Sequence, residues 1–279
     1  DAHFVLAVGD NFYENGVSSV NDPQWTTTWT NVFPNSSFPM PWYAVLGNHD
    51  YHQNPQAEVD YTTTAGKDKR WRMPARWYTE NFTVADGGAD GGFTVQLVAI
   101  DTVNLAGGAT LAKLESLLRE GKVATEVVEG WRAYMASGRQ AADAASQLDW
   151  IKATLKASTA DWLIMTGHYP IYSAGEHGNT FLLDLEVKPL MAQYKVDAYI
   201  CGHDHTLQHL QDSATTTQYF VSGNGAKRGE IKTHPSQLKF GVVDPGFMSH
   251  VVTRSSLDTT MTDEDGKAIY TYSQKPLRG

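Results

Sequence analysis

The sequence predicts an α/β fold, and two features carry the prediction. Four apolar runs, Phe4 to Val8, Trp42 to Leu46, Trp162 to Met165 and Val196 to Ile200, show the unbroken hydrophobicity of strands buried on both faces of a sheet. Each run is followed closely by a glycine and then by polar groups: Gly9-Asp10-Asn11-Phe12-Tyr13, Gly47-Asn48-His49-Asp50, Gly167-His168-Tyr169-Pro170 and Gly202-His203-Asp204-His205. In an open α/β sheet ligands bind outside the carboxyl ends of strands, so four such endings are expected to converge on one site.

The elements follow in order. After the first strand, Asp22 is placed to cap a helix with Pro23 at its first position, and Trp25, Trp29 and Phe33 repeat every four residues as a core stripe. Pro34, Pro39 and Pro41 stop that helix before the strand at Trp42. From His52 to Arg76 the chain is polar and irregular. Trp77 to Val84 and Phe93 to Ile100 then read as strands joined by a hairpin loop over residues 85–92, whose acids lack the spacing of a calcium loop. Leu105 to Ala160 is predicted helical, with packing stripes at Leu111, Leu114, Leu117, Leu118 and at Leu148, Ile151, Leu155. Residues 105–146 read as a helical insertion, and its alanine-rich part, Ala133 to Ala145, carries no catalytic pattern. Leu182 to Tyr194 is a helix and Tyr219 to Val221 a strand. Phe247 to Val252, Thr259 to Thr262 and Ala268 to Tyr272 form a closing antiparallel set that turns at Asp265-Gly266.

With 279 residues, 41% hydrophobic, the chain has enough apolar surface for one large domain over 1–279. A net charge of -9 and the lack of a dense basic run exclude a nucleic-acid-binding surface. The same charge repels phosphate esters at long range, so phosphate chemistry here needs local positive charge, for which metal ions are the obvious source. Cys201 is the only cysteine, which rules out an intrachain disulfide. No apolar run approaches the roughly 20 residues of a membrane span. Two glycosylation triplets, Asn35-Ser36-Ser37 and Asn81-Phe82-Thr83, are compatible with secretion.

Asp10, Tyr13, Asn48, His49, His168, His203 and His205 make a metal-site inventory. A lone His or Asp at a strand end is usually a cap or turn residue. Their recurrence at four glycine-terminated strands is what points to metal. Carboxylate, phenol, amide and imidazole together can hold two cations, with an aspartate bridging them, and a phenolate suits trivalent iron better than zinc or magnesium. His3, His52, His209, His234 and His250 lack the strand-and-glycine setting and read as surface or core histidines. His177, between Gly175 and Gly178, is intermediate.

In this order, Gly9-Asp10-x-x-Tyr13, Gly47-Asn48-His49-Asp50, Gly167-His168 and Gly202-His203-x-His205 resemble the calcineurin-like metallophosphoesterase superfamily, in its purple acid phosphatase branch. Gly167-His168-Tyr169-Pro170, Glu176-His177-Gly178 and Cys201 to His205 are similar to the small, tartrate-resistant type. The resemblance runs over most of the chain and is least between Asp101 and Gln147. It implies a four-layer α/β/β/α sandwich of two mixed sheets flanked by helices. It also implies an acid phosphatase that hydrolyses phosphate monoesters at a dinuclear Fe(III)-M(II) centre by attack of metal-bound hydroxide. Asp10 would bridge the metals. Tyr13 and His205 would sit on the ferric ion, Tyr13 giving the purple colour; Asn48, His168 and His203 would hold divalent iron, zinc or manganese. His49 and His177 resemble the histidines that bind the phosphate and assist proton transfer to the leaving alcohol. The expected substrate is a small phosphomonoester or a phosphoprotein, the expected state a monomer. The expected location is the secretory pathway, extracellular or lysosomal/vacuolar.

The family carries a further Asp ligand on a first strand well before the position of Asp10. Only nine residues precede Asp10, so the resemblance implies an N-terminally incomplete chain whose first strand is missing. Two other readings compete. A protein Ser/Thr phosphatase or phosphodiesterase of the wider superfamily is disfavoured by Glu14-Asn15-Gly16, where those phosphatases place Asp-Arg-Gly, and by Tyr13. A non-catalytic scaffold or anchoring protein should have lost ligands, yet those this chain has room for are present.

Overall fold

The computed structural model describes residues 2–86, 91–121, 124–137, 139–213, 215–225 and 227–278. The chain divides into two compact units, Asp1–Tyr78 with Ile100–Gln147, and Thr79–Ala99 with Leu148–Gly279.

In the first unit three short parallel strands, β1 (Val5–Ala7), β2 (Trp42–Ala44) and β3 (Trp71–Arg72), lie side by side in that order. An aromatic cluster packs with them. The predicted stripe is real, but its segment winds with wider π-type turns over Trp25–Thr30, and Asp22 accepts from the Gln24 amide at 2.9 Å. Trp25 and Trp29 are buried; Trp25 stacks on Tyr61 with ring centres 3.6 Å apart and meets Phe12 edge-on at 4.7 Å. Each aromatic pair adds about 0.5–1.5 kcal/mol beyond the area it buries, so this cluster is a main anchor of the unit.

The stretch read as irregular holds α1 (Pro55–Thr63) and β3. No apolar stripe marked α1, because its buried face includes Glu58. The predicted long helical stretch is broken into α2 (Thr102–Ala106), α3 (Gly108–Arg119), α4 (Thr125–Ala136) and α5 (Arg139–Ala157). Gly107, at φ +37°, makes the first break, since a side chain there would collide with Gln140. Asp101 caps α2, accepting from the Asn104 amide at 3.0 Å. A polar network fastens this helical stretch: Tyr51 donates to Asp101 at 2.5 Å, Tyr134 donates to Asp143 at 2.6 Å, and Arg76 donates to the same Asp143 oxygen at 2.6 Å. Burial, then the Asp101 charge, pushes the Tyr51 phenol well up, so it stays a donor.

The second unit is built on a seven-stranded sheet of β4 (Tyr78–Val84), β5 (Phe93–Ala99), β6 (Trp162–Thr166), β7 (Ala198–Cys201), β8 (Leu207–Gln211), β9 (Gln218–Ser222) and β10 (Leu238–Val242). Their spatial order is β10-β8-β9-β7-β6-β5-β4. β5, β6, β7 and β9 run parallel, and β8 and β10 join antiparallel. Every residue of β6 and β7 is buried, as their unbroken hydrophobicity demands. The helix foreseen at Leu182 consists of a π-type stretch, Leu183–Val187, and α6 (Lys188–Gln193). A separate antiparallel sheet of β11 (Gly246–Val252), β12 (Leu257–Asp263) and β13 (Ala268–Gln274) turns at Gly266, φ +79°. Of the hairpin loop expected over 85–92, residues 87–90 lie outside the described residues. Its ends are held by Arg254, which donates to Asp86 at 2.7 Å and to the Gly92 carbonyl at 2.6 Å. The chain is thus a mixed α/β protein with several sheets.

Candidate metal centre

Of the candidate residues, Asp10, Tyr13, Asn48 and His49 lie in the first unit. Gly9 and Asp10, just past β1, take left-handed φ values of +89° and +53°. Glycine does so freely, but for an aspartate this conformation is strained, and such strain collects at functional sites. The loop after β2 presses against it: a Cβ on Gly47 would overlap both the Asp10 amide nitrogen and its carboxylate. The His49 amide donates to Asp10 Oδ1 at 2.9 Å and the Tyr13 hydroxyl to Oδ2 at 3.2 Å. Burial first, then the Asp10 carboxylate, pushes the Tyr13 phenol far above its ordinary range, so it ionises only against a cation.

Asp50 knots the two loops. It is fully buried and accepts from the backbone amides of Asn11 at 2.9 Å, Phe12 at 3.2 Å and Gly47 at 2.8 Å. Asn11 Nδ2 also donates to Glu58 at 3.0 Å. Burial and the Asp50 charge hold the Glu58 carboxyl well above the usual range, so it keeps its proton beside Asp50. Asn48 sits half-buried in this knot. His49 Nδ1 lies 2.6 Å from the Glu14 carbonyl, which accepts only, so Nδ1 carries the hydrogen.

His168, His177, His203 and His205 lie in the second unit. The loops after β6 and β7 are tied by their backbones: the Gly202 amide donates to the His168 carbonyl at 3.1 Å, and Gly167 to Ile200 at 3.3 Å. His203 is left-handed at φ +68°, repeating at β7 what Asp10 does at β1. The ring centres of His168 and His203 lie 5.0 Å apart, and that of His177 lies 4.1 Å from His203. The Gly229 amide donates to the His205 carbonyl at 2.8 Å.

Asp204, between the two histidines of the last motif, is fully buried, and sequence reasoning passed over it. Its Oδ1 accepts from the His177 amide at 2.9 Å and faces His177 Nδ1 at 2.7 Å, and its Oδ2 accepts from the Ser173 hydroxyl. Burial alone would raise the Asp204 carboxyl, but the hydrogen bonds from His177 and Ser173 outweigh it and hold the group below its usual range. The available signal was the Asp-between-ligands spacing, read for its imidazoles alone. Elsewhere His52 and His209 are buried, while His3 and His234 are exposed.

The donor chemistry fits metal ions. The oxygen donors of Asp10, Tyr13 and Asn48 and the imidazoles of His168, His203 and His205 together suit transition-metal ions, with the Tyr13 phenol favouring a hard trivalent one. Asp10 and His203 both take left-handed backbones, and the lack of a side chain at Gly47 leaves room for the Asp10 carboxylate.

Residues 1–207 match the calcineurin-like phosphoesterase family. The chain belongs to that family, in its purple acid phosphatase branch. It is 33% identical to human tartrate-resistant acid phosphatase type 5, covering 96% of this chain and 78% of that one. It is 31% identical to purple acid phosphatase 4 of Arabidopsis thaliana, covering 99% and 75%. Among solved structures, GAP50, described as the anchor in the inner membrane complex of Plasmodium, superposes with a TM-score of 0.79 at 22% identity, covering 99% of this chain and 79% of that one. That likeness shows the fold alone. Membership in the calcineurin-like phosphoesterases makes this a hydrolase fold and implies a dinuclear metal centre. Among the described residues no helix is long and apolar enough to cross a membrane.

Proposed function

We propose that this protein is an acid phosphatase that hydrolyses phosphate monoesters at a dinuclear centre of Fe(III) and a divalent iron, zinc or manganese. The observation that carries the reading is the pair of strained strand ends, Asp10 and His203, each embedded among further ligand-type side chains. Asp10 would bridge the ions, Tyr13 and His205 would hold the ferric one, and Asn48, His168 and His203 the divalent one. The ions, when bound, supply Lewis-acid charge and an activated water. The protein's own part is to bind and orient the phosphate and to move a proton. His49, with Nδ1 spent on the Glu14 carbonyl, has Nε2 to offer a phosphate oxygen. His177, with Nδ1 turned to Asp204, has Nε2 to offer the leaving oxygen. The two glycosylation triplets are exposed at Asn35 and Asn81, which supports a route through the secretory pathway to an extracellular, lysosomal or vacuolar location. A monomer completes the proposal.

Replacing Tyr13 by Phe tests the metal assignment. The wild-type protein should bind iron with a visible charge-transfer band, and Tyr13→Phe should lose the band while keeping its far-UV spectrum. A retained band removes Tyr13 from the metal. A second reading is a non-catalytic scaffold or anchoring protein, a use to which the Plasmodium anchor puts the same fold. Less than one metal ion per chain by elemental analysis, together with no turnover of aryl phosphates, would select it.

A further inference from the structure

We infer that Asp204 is a positioning residue that fixes the tautomer and direction of His177, so that His177 Nε2 is the atom presented to the leaving group. This inference rests on the phosphomonoesterase reading. The geometry is specific. One carboxylate oxygen of Asp204 takes both the amide and Nδ1 of His177, which fixes the ring against its own backbone. The other oxygen is held from behind by the Ser173 hydroxyl. That hydroxyl in turn accepts from the Gly175 amide at 2.9 Å and from Gln208 Nε2 at 3.0 Å, and Gln208 Oε1 accepts from the Ala174 amide at 2.8 Å. Two glycines make the room: a Cβ on Gly175 would come within 2.5 Å of Asp204 Cγ, and one on Gly223 would overlap the Asp204 carbonyl. A buried carboxylate held by so many donors cannot swing away, whereas the His177 side chain is 28% exposed. The Nδ1 edge of the ring is thus occupied by Asp204, while Nε2, with only the more distant Glu176 carboxylate 3.8 Å away, is the edge left for substrate.

The consequence for the reaction is simple in its balance. The donor form is the His177 imidazolium, which carries hydrogen on both nitrogens: as the bond from phosphorus to the leaving oxygen breaks, its Nε2–H bond breaks and an O–H bond forms on the departing alcohol, while water supplies the oxygen that replaces it on phosphorus. His177 is left neutral with its hydrogen on Nδ1, the form that Asp204 stabilises. An asparagine at 204 can offer its amide N–H to the ring and so favours the opposite tautomer, with the hydrogen moved to Nε2 and Nδ1 accepting.

Two measurements test this. In long-range ¹H–¹⁵N spectra near neutral pH, with His177 assigned through His177→Gln, the ring should be the Nδ1–H tautomer, and Asp204→Asn should abolish that signature. An Nε2–H tautomer in the wild-type protein, or one unmoved by Asp204→Asn, overturns the inference. In kinetics, with metal content matched, Asp204→Asn should lower kcat/KM about 100-fold for an alkyl phosphate, whose alkoxide needs the proton, and under about tenfold for p-nitrophenyl phosphate, whose oxide does not. Equal losses on both substrates overturn it. Ser173→Ala, which leaves the metal motif untouched, should act in the same direction with about a tenfold loss on the alkyl ester. If the wild-type protein turns over no phosphate monoester, the functional reading fails, and the tautomer measurement alone then decides the role of Asp204.

Discussion

Two histidines of the second unit, His177 and His209, solve opposite problems. His209 is fully buried, with Nδ1 2.8 Å from the Tyr270 hydroxyl, Nε2 2.9 Å from Gln218 Oε1, and its ring stacked on Phe220. Burial holds its pKa below the usual value. Neutral partners on both edges leave it nothing to give. His177 is partly exposed, holds Asp204 at 2.7 Å on one edge, has only the looser Glu176 carboxylate at 3.8 Å on the other, and stands against His203. The difference teaches that a histidine's function is read from which of its nitrogens is left over. Both carry hydrogen bonds of similar length, and only the second has an edge to spend on a ligand.

The contrast can be broken by replacing each. His177→Ala should lower turnover of an alkyl phosphate by about 10²–10³-fold with a midpoint of thermal unfolding close to wild type. A large loss of stability without loss of turnover would place His177 with His209. His209→Ala should do the reverse, costing about 3 kcal/mol in urea unfolding through the cavity and the stranded Gln218 and Tyr270 groups, with near wild-type turnover per folded molecule. His250 sharpens the comparison with a smaller effect. Burial lowers its pKa to about 4, and among the described residues its Nε2 has no hydrogen-bond partner. The unfolded chain takes up the proton near the ordinary histidine value of roughly 6.5. Its contribution to stability is therefore complete above that pH and drains away as the pH falls from about 6.5 toward 4, by about 1.4 kcal/mol per unit. His250→Gln should flatten the stability profile by that slope over this window; parallel profiles for variant and wild type would show that the ring is not buried neutral.

Much of this was legible in the residues. Apolar runs ending in glycine located β1, β2, β6 and β7, because strands covered on both faces have no polar residues to interrupt them. β8 and β10 went unseen: Leu207-Gln208-His209-Leu210 buries a glutamine and a histidine through specific partners, which no hydropathy pattern announces. α1 was missed for the same reason, its inward face carrying a carboxyl that stays protonated. The breaks between α2, α3 and α4 depend on backbone angles at Gly107 and Gly121, which a continuous leucine periodicity conceals. At the candidate centre the ligand-type side chains were readable because their motifs repeat at strand ends. Asp50, Asp204 and Ser173 were not, since each acts by accepting or donating across 27 to 39 positions of chain.

Gly47 sets a limit on sequence drift. Every other amino acid carries a β-carbon, and here that single atom would displace the Asp10 carboxylate from its place above β1. Codon 47 thus has one tolerated meaning, and in a saturation library scored for enzymatic output it should stand out as a column of nulls even where the hydrophobic core around it accepts exchange among its aliphatic members.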